Sequence, residues 1–126
     1  MGGTNIATTI LFVYGTLKRG LRNHHRLSDQ EFLGEAVTEA RYRVIDLGPY
    51  PGLIVDAVNG LAVPGELWAV NERSLAELDA FENVPVLFTR DPITIAGREG
   101  VVYAYFMNTP LPANAASGDR WPLKNG

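Results

Sequence analysis

The stretch Ile10-Leu11-Phe12-Val13-Tyr14-Gly15-Thr16-Leu17-Lys18-Arg19-Gly20 decides how this chain is read. Its opening run, residues 10–14, is wholly apolar or aromatic and rich in β-formers. A run this short, stopped by a glycine, predicts a buried strand. The chain then leaves that strand abruptly. Gly15 is expected to supply backbone angles closed to other residues and to let a ligand approach the main chain. Successive N–H groups at such a turn can form a nest for an anion such as a carboxylate. The same residues also read as an ordinary tight turn. Their glycine spacing fits neither a nucleotide-phosphate loop nor a dinucleotide fingerprint.

Working outward, Asn23 predicts a cap on a short helical stretch over residues 24–29. Residues 40–47 alternate loosely through Tyr42, Val44 and Ile45 and stop at Gly48-Pro49. Pro51-Gly52 marks a turn before a short strand at residues 53–55. Residues 61–70 predict a longer strand, with Pro64 implying an edge or a bulge. The clearest helix is residues 72–82. Asn71 is a good N-cap and Glu72 suits the first turn. Leu75, Leu78 and Phe81 define its buried stripe. Asn83 and Pro85 end it. Residues 88–95 and 101–107 predict strands joined by the hairpin-length loop 96–100. Residues 1–9 read as an N-terminal extension. Residues 109–126 read as a tail without periodicity, anchored late by Trp121. Short strands at close spacing with one main helix predict an α+β domain, a small mixed β-barrel with a ligand site at its mouth.

The chain has 126 residues, 46% hydrophobic and 20% charged, which predicts a single domain over residues 1–126 with its own core. It has no cysteine. Disulfides, thiolate metal sites and a cysteine nucleophile are therefore excluded. A net charge of −3 argues against nucleic acid as a partner. No apolar run approaches the ~20 residues of a membrane span, and residues 1–9 lack the basic start of a signal peptide. A cytoplasmic protein is expected. His24 and His25 are adjacent and cannot share a metal as an i, i+4 pair would, so no metal and no cofactor are expected. Ser28, Ser74 and Ser117 lack the glycine-flanked setting of a hydrolase nucleophile.

Glu82 stands out among the carboxylates. It lies four residues after Leu78 and next to Phe81, so it borders the apolar helix face. Asp79 lies on the same side. Burial and a neighbouring carboxylate both raise a carboxyl pKa. A raised pKa suits a general base near neutrality. The other reading of Glu82 is a structural ion pair with an arginine such as Arg90.

Taken together, these residues resemble a known family. Phe12-Val13-Tyr14-Gly15-Thr16-Leu17-Lys18-Arg19-Gly20 is similar to the opening signature of the γ-glutamylcyclotransferase-like proteins. Asn23, Tyr50-Pro51-Gly52-Leu53, Val63-Pro64-Gly65-Glu66-Leu67-Trp68 and Leu78-Asp79-Ala80-Phe81-Glu82 follow in the family's order. Ser117-Gly118-Asp119-Arg120-Trp121 resembles its Gly-Asp-Trp ending, with Arg120 inserted. The resemblance runs over about residues 10–121.

The resemblance implies that Tyr14, Gly15, Thr16 and Leu17 hold a γ-glutamyl group and that Glu82 is the acid–base residue. It implies a small-molecule γ-glutamyl substrate, a γ-glutamyl-amine or a γ-glutamyl-protected metabolite. The products would be 5-oxoproline and a free amine, formed by intramolecular aminolysis. The alternative is a non-catalytic binding or interaction module on the same fold. Two positions depart from the pattern: Phe88-Thr89-Arg90 stands where members carry Tyr-x-Arg, and Asn83 where glycine is frequent. Both flank the expected site and bear on the choice of substrate.

Overall fold

Leu11, Phe12 and Val13 are fully buried because their strand, β1 (Thr8–Val13), runs through the middle of a sheet. The computed structural model describes residues 7–123; residues 1–6 of the expected extension and 124–126 of the expected tail lie outside it. Six further strands precede a short final one: β2 (Glu31–Val37), β3 (Tyr42–Asp46), β4 (Pro51–Val55), β5 (Pro64–Asn71), β6 (Phe88–Ile93) and β7 (Val102–Met107), then β8 (Ser117–Gly118). Among the described residues, one α-helix, α1 (Glu72–Phe81), follows β5, and a single 3-10 turn occupies His24–Leu27.

The strands make two sheets, in the orders β2-β5-β1-β7-β6 and β4-β3-β8. β1 pairs antiparallel with β5, Leu11 opposite Trp68, and parallel with β7, so the larger sheet is mixed. The ends of β2 and β6 meet at one bridge, Thr38 opposite Ile95, and Glu39 N–H donates to Thr94 O at 3.0 Å. The sheets do not close into the expected barrel; the fold is α+β with two sheets.

Period-two alternation splits β1 between two cores. Leu11 and Val13 join Leu17, Trp68, Leu75, Leu78 and Tyr105 on the helix side. Phe12 and Tyr14 join Val44, Leu53, Val63 and Phe106 on the other. Helix α1 packs on β1 and β5. The Asn71 side chain accepts from Ser74 N–H at 2.8 Å, the expected cap. At the other end Asn83 takes a left-handed φ of 56°. Asn83 N–H donates to Ala80 O at 3.1 Å and Val84 N–H to Asp79 O at 3.0 Å. These paired bonds close a helix on a left-handed residue, which is why glycine suits this position.

Five expectations change. Phe81 does not bury with Leu75 and Leu78: it is 38% exposed, because it sits at the helix end over a cavity and not over the sheet. Asn23 does not cap the 3-10 turn; its side chain bonds elsewhere, as described below. β2 lies where no strand was expected, and two residues of the expected tail form β8 against β3. Pro64 opens β5, where the strand interior is not interrupted. Trp121 does pack on the core, and its carbonyl accepts from Lys18 Nζ at 2.8 Å.

Candidate functional site

The turn after β1 is held from three directions. Lys18 N–H closes it onto Gly15 O at 3.1 Å. Asn23 reaches back twice to Thr16, with its N–H on the carbonyl at 3.0 Å and its Nδ2 on Oγ1 at 2.9 Å. A ring N–H of His24, Nδ1, donates to Leu17 O at 3.0 Å. Beyond the turn, the buried Glu66 carboxylate accepts from Arg19 N–H, Arg19 Nε and Trp68 Nε1, each at 3.1 Å. These contacts occupy the carbonyls of residues 15–17. Among the described residues, no main-chain hydrogen bond is donated by the N–H groups of Gly15, Thr16 or Leu17.

Gly15 is not needed for the unusual backbone angles expected of it. Its φ is not in the left-handed region. A Cβ there would stand 2.6 Å from Pro51 Cγ, a separation that real Cβ atoms do not tolerate. Glycine is needed so that β4 can approach the turn.

The turn opens onto a cavity of about 590 Å³. Tyr14, Gly15, Thr16, Leu17 and Glu82 all line it, so the expected site residues share one space. Glu82 arrives from the last turn of α1, and its N–H still bonds Leu78 O at 2.8 Å. It is half-buried. Burial pushes its carboxyl up to about 7, against a smaller opposing pull from Arg26. Arg26 stacks its guanidinium 3.7 Å above the Phe81 ring, beside Glu82. The Tyr14 hydroxyl is buried and donates to Tyr105 O at 2.7 Å. Burial, and then the Glu82 charge, push Tyr14 well above the ordinary phenol range.

Arg90 does not pair with Glu82. It takes Asp79 instead, at 2.9 and 3.0 Å, and the Tyr105 hydroxyl donates to the same carboxylate at 2.7 Å. Burial opposes these donors, but they win, and the Asp79 carboxyl lies below its usual range. Asp79 is thereby compensated, and the elevation of Glu82 comes from burial and not from a neighbouring carboxylate. Phe88, at the departing position, is buried on the cavity wall with its ring 6.1 Å from that of Tyr50.

Arg22, Asn23, Pro49, Tyr50, Phe81, Leu87 and Tyr105 also line the cavity but were not read as site residues from physical pattern. The turn signal at Tyr50-Pro51-Gly52 was visible; its closure over Gly15 was not. Among the described residues no three of His, Asp or Glu cluster as metal ligands would. No helix among them is long and apolar enough to cross a membrane.

Residues 11–123 match the family model described as gamma-glutamyl cyclotransferase, AIG2-like. A Vibrio cholerae protein named provisionally as a gamma-glutamylcyclotransferase is 39% identical over 110 residues, covering 87% of this chain and 93% of its own. Human gamma-glutamylaminecyclotransferase is 41% identical over 96 residues, covering 68% of this chain; the match spans 61% of the human protein. The crystal structure of a mouse AIG2-like protein superposes with a TM-score of 0.80 at 27% identity, covering 90% of this chain and 88% of the other. The order of motifs, the shared cavity and the near full-length match agree, and the chain belongs to the gamma-glutamyl cyclotransferase, AIG2-like family.

Proposed function

We propose that this protein is a γ-glutamyl cyclotransferase that releases 5-oxoproline and a free amine from a γ-glutamyl-amine or a γ-glutamyl-protected metabolite. One observation carries the proposal: a half-buried carboxyl of pKa about 7 faces the same cavity as a turn with unengaged backbone N–H groups.

The chemistry follows from that pairing. The glutamyl α-amine attacks the substrate's own γ-carbonyl carbon, and a C–N bond closes a five-membered lactam. The old amide C–N bond breaks and its nitrogen departs as the amine. The α-ammonium loses two protons, one to free the attacking amine and one as the ring closes; Glu82 carries them in turn to the leaving nitrogen, which departs as the protonated amine. A carboxyl near neutrality can do both. The N–H groups of residues 15–17 bind the α-carboxylate and the developing oxyanion. Holding the glutamyl chain folded supplies the near-attack geometry, so no protein nucleophile is needed. Tyr14 lends its ring to the wall while its hydroxyl stays on Tyr105. We place the enzyme in the cytoplasm, in keeping with a chain that carries no cysteine.

The test is to incubate purified protein with a panel of γ-glutamyl amides and assay 5-oxoproline. Release from at least one compound, matched by release of its amine, is expected. A folded protein that binds such compounds without releasing 5-oxoproline is a binding module instead.

A further inference from the structure

We infer that Arg26 is a positioning residue for the proton transfer: seated on the Phe81 ring, it holds a positive charge beside Glu82 that favours the carboxylate, the base form the reaction needs. This rests on the cyclotransferase reading above. The seat is geometric. Arg26 is exposed on the 3-10 turn His24–Leu27, and its guanidinium lies 3.7 Å above the Phe81 ring. Phe81 is the last residue of α1 and Glu82 is the next. A planar guanidinium stacked on a ring is held over it. Among the described residues no carboxylate lies within ion-pair distance of Arg26, whereas Arg19 takes Glu66 and Arg90 takes Asp79. The Arg26 charge is therefore not neutralised elsewhere.

The 3-10 turn that carries Arg26 is itself fixed. Leu27 is fully buried in the same core as Leu75 and Leu78. Asn23 and His24 fasten the segment to Thr16 and Leu17. Residues 23–27 thus grip the turn that faces the glutamyl head and also reach the carboxyl that moves its protons. The other ionisable groups around Glu82 are accounted for. Tyr14 donates to Tyr105 O, and Tyr105 donates to Asp79, which Arg90 neutralises. Arg22 is turned to Pro49 O, Tyr50 stands across the cavity, and His25 is exposed. Burial lifts the Glu82 carboxyl, and the cation that pulls the other way is Arg26. Without it, less of the base form is present at neutral pH.

The test follows the Glu82 side-chain carboxyl carbon by NMR through a pH titration of the substrate-free protein. Arg26→Gln should move the midpoint upward, so that the ionised fraction at pH 6 falls by about threefold. Arg26→Lys, which keeps the charge, should stay closer to wild type. In turnover of a γ-glutamyl amide, Arg26→Gln should lose about threefold more kcat at pH 6 than at pH 8.5. A loss that is equal at the two pH values is a packing effect and overturns the inference. So does a midpoint that Arg26→Gln leaves in place, or one that Arg26→Lys moves as far as Arg26→Gln. Each of these results leaves the cyclotransferase reading standing. If no γ-glutamyl amide of any kind yields 5-oxoproline, that reading fails and the role of Arg26 in proton transfer falls with it.

Discussion

Arg90 grips Asp79 at two points, Nε to Oδ1 at 2.9 Å and Nη2 to Oδ2 at 3.0 Å. The pair ties the last turn of α1 to β6, and the Tyr105 hydroxyl ties the same carboxylate to β7 at 2.7 Å. Glu82, three residues further on, is left as the cavity's carboxylate. One arginine thus pairs the first of these two acids and leaves the second facing the cavity.

Asp79→Asn keeps the shape and removes the charge from a pair whose partners are each about a quarter exposed. Leaving Arg90 without its carboxylate is expected to cost about 2 kcal/mol, less than for a fully buried pair. The thermal midpoint should fall by roughly 6–10 °C in a domain of this size. The Asp79 carboxyl is lowered in the folded state, so its stabilisation is present above its unfolded pKa and disappears as pH falls through the folded value. The gap between wild type and variant should therefore narrow in acid. Melting curves at pH 7 and pH 3 check this.

Glu82→Gln should do the opposite to stability. Above about pH 7 the folded wild type carries a carboxylate in a setting that disfavours it, at a cost on the order of 3 kcal/mol. Below the unfolded value both states are protonated and the cost is absent. Between the two, the unfolded state ionises first and stability falls as pH rises. The variant cannot ionise, so it should melt above wild type at pH 8, with the gap shrinking toward pH 4. Scanning calorimetry across that range decides it.

Gly15→Ala would set a methyl 2.6 Å from Pro51 Cγ. Overpacking of this kind costs about 1–3 kcal/mol. The turn should shift away from β4, and substrate KM should rise. Adding Pro51→Ala removes the clashing ring atoms and should recover part of both losses. A double-mutant cycle on midpoint and KM tests the contact directly.

Asn83→Gly replaces a residue held at φ 56° with one that takes this angle without strain. A gain of up to about 1 kcal/mol is expected, with no change in turnover. A lower midpoint would mean that the Asn83 side chain contributes more than its backbone angle.

Much of this was legible in the sequence, where local pattern and tertiary role coincide. The run at residues 10–14 reads as a buried strand, and all of it but Tyr14 lies in β1. Asn71 and Leu75 mark the helix, and the β6–β7 hairpin follows from two β-rich runs around a short glycine loop. β2 was hidden. None of its residues is fully buried, its register slips between Phe32 and Gly34, and it is an outer strand of the larger sheet. Phe81 misled because three-residue spacing cannot tell a core face from a cavity wall. The turn at residues 14–17 and Glu82 were nameable as candidates, but their common cavity is a product of the sheet order. The choice of Arg90 for Asp79 over Glu82 is equally tertiary: both lie within reach in sequence terms, and β6 decides between them. Arg22 carries no local signal as a cavity residue, because nothing in the sequence places Pro49 beside it.

The central claim is that Glu82 moves the proton, and its most direct measurement is 5-oxoproline turnover by Glu82→Gln and Asp79→Asn beside wild type at pH 8. General acid–base catalysis by one group is worth about 10²–10⁴-fold. Glu82→Gln should lose at least about a hundredfold in kcat with little change in KM, while Asp79→Asn should lose far less. Wild-type kcat should fall on the acid side of about pH 7, where Glu82 takes up its proton. Near wild-type turnover in Glu82→Gln, or a dead Asp79→Asn beside an active Glu82→Gln, would contradict the account.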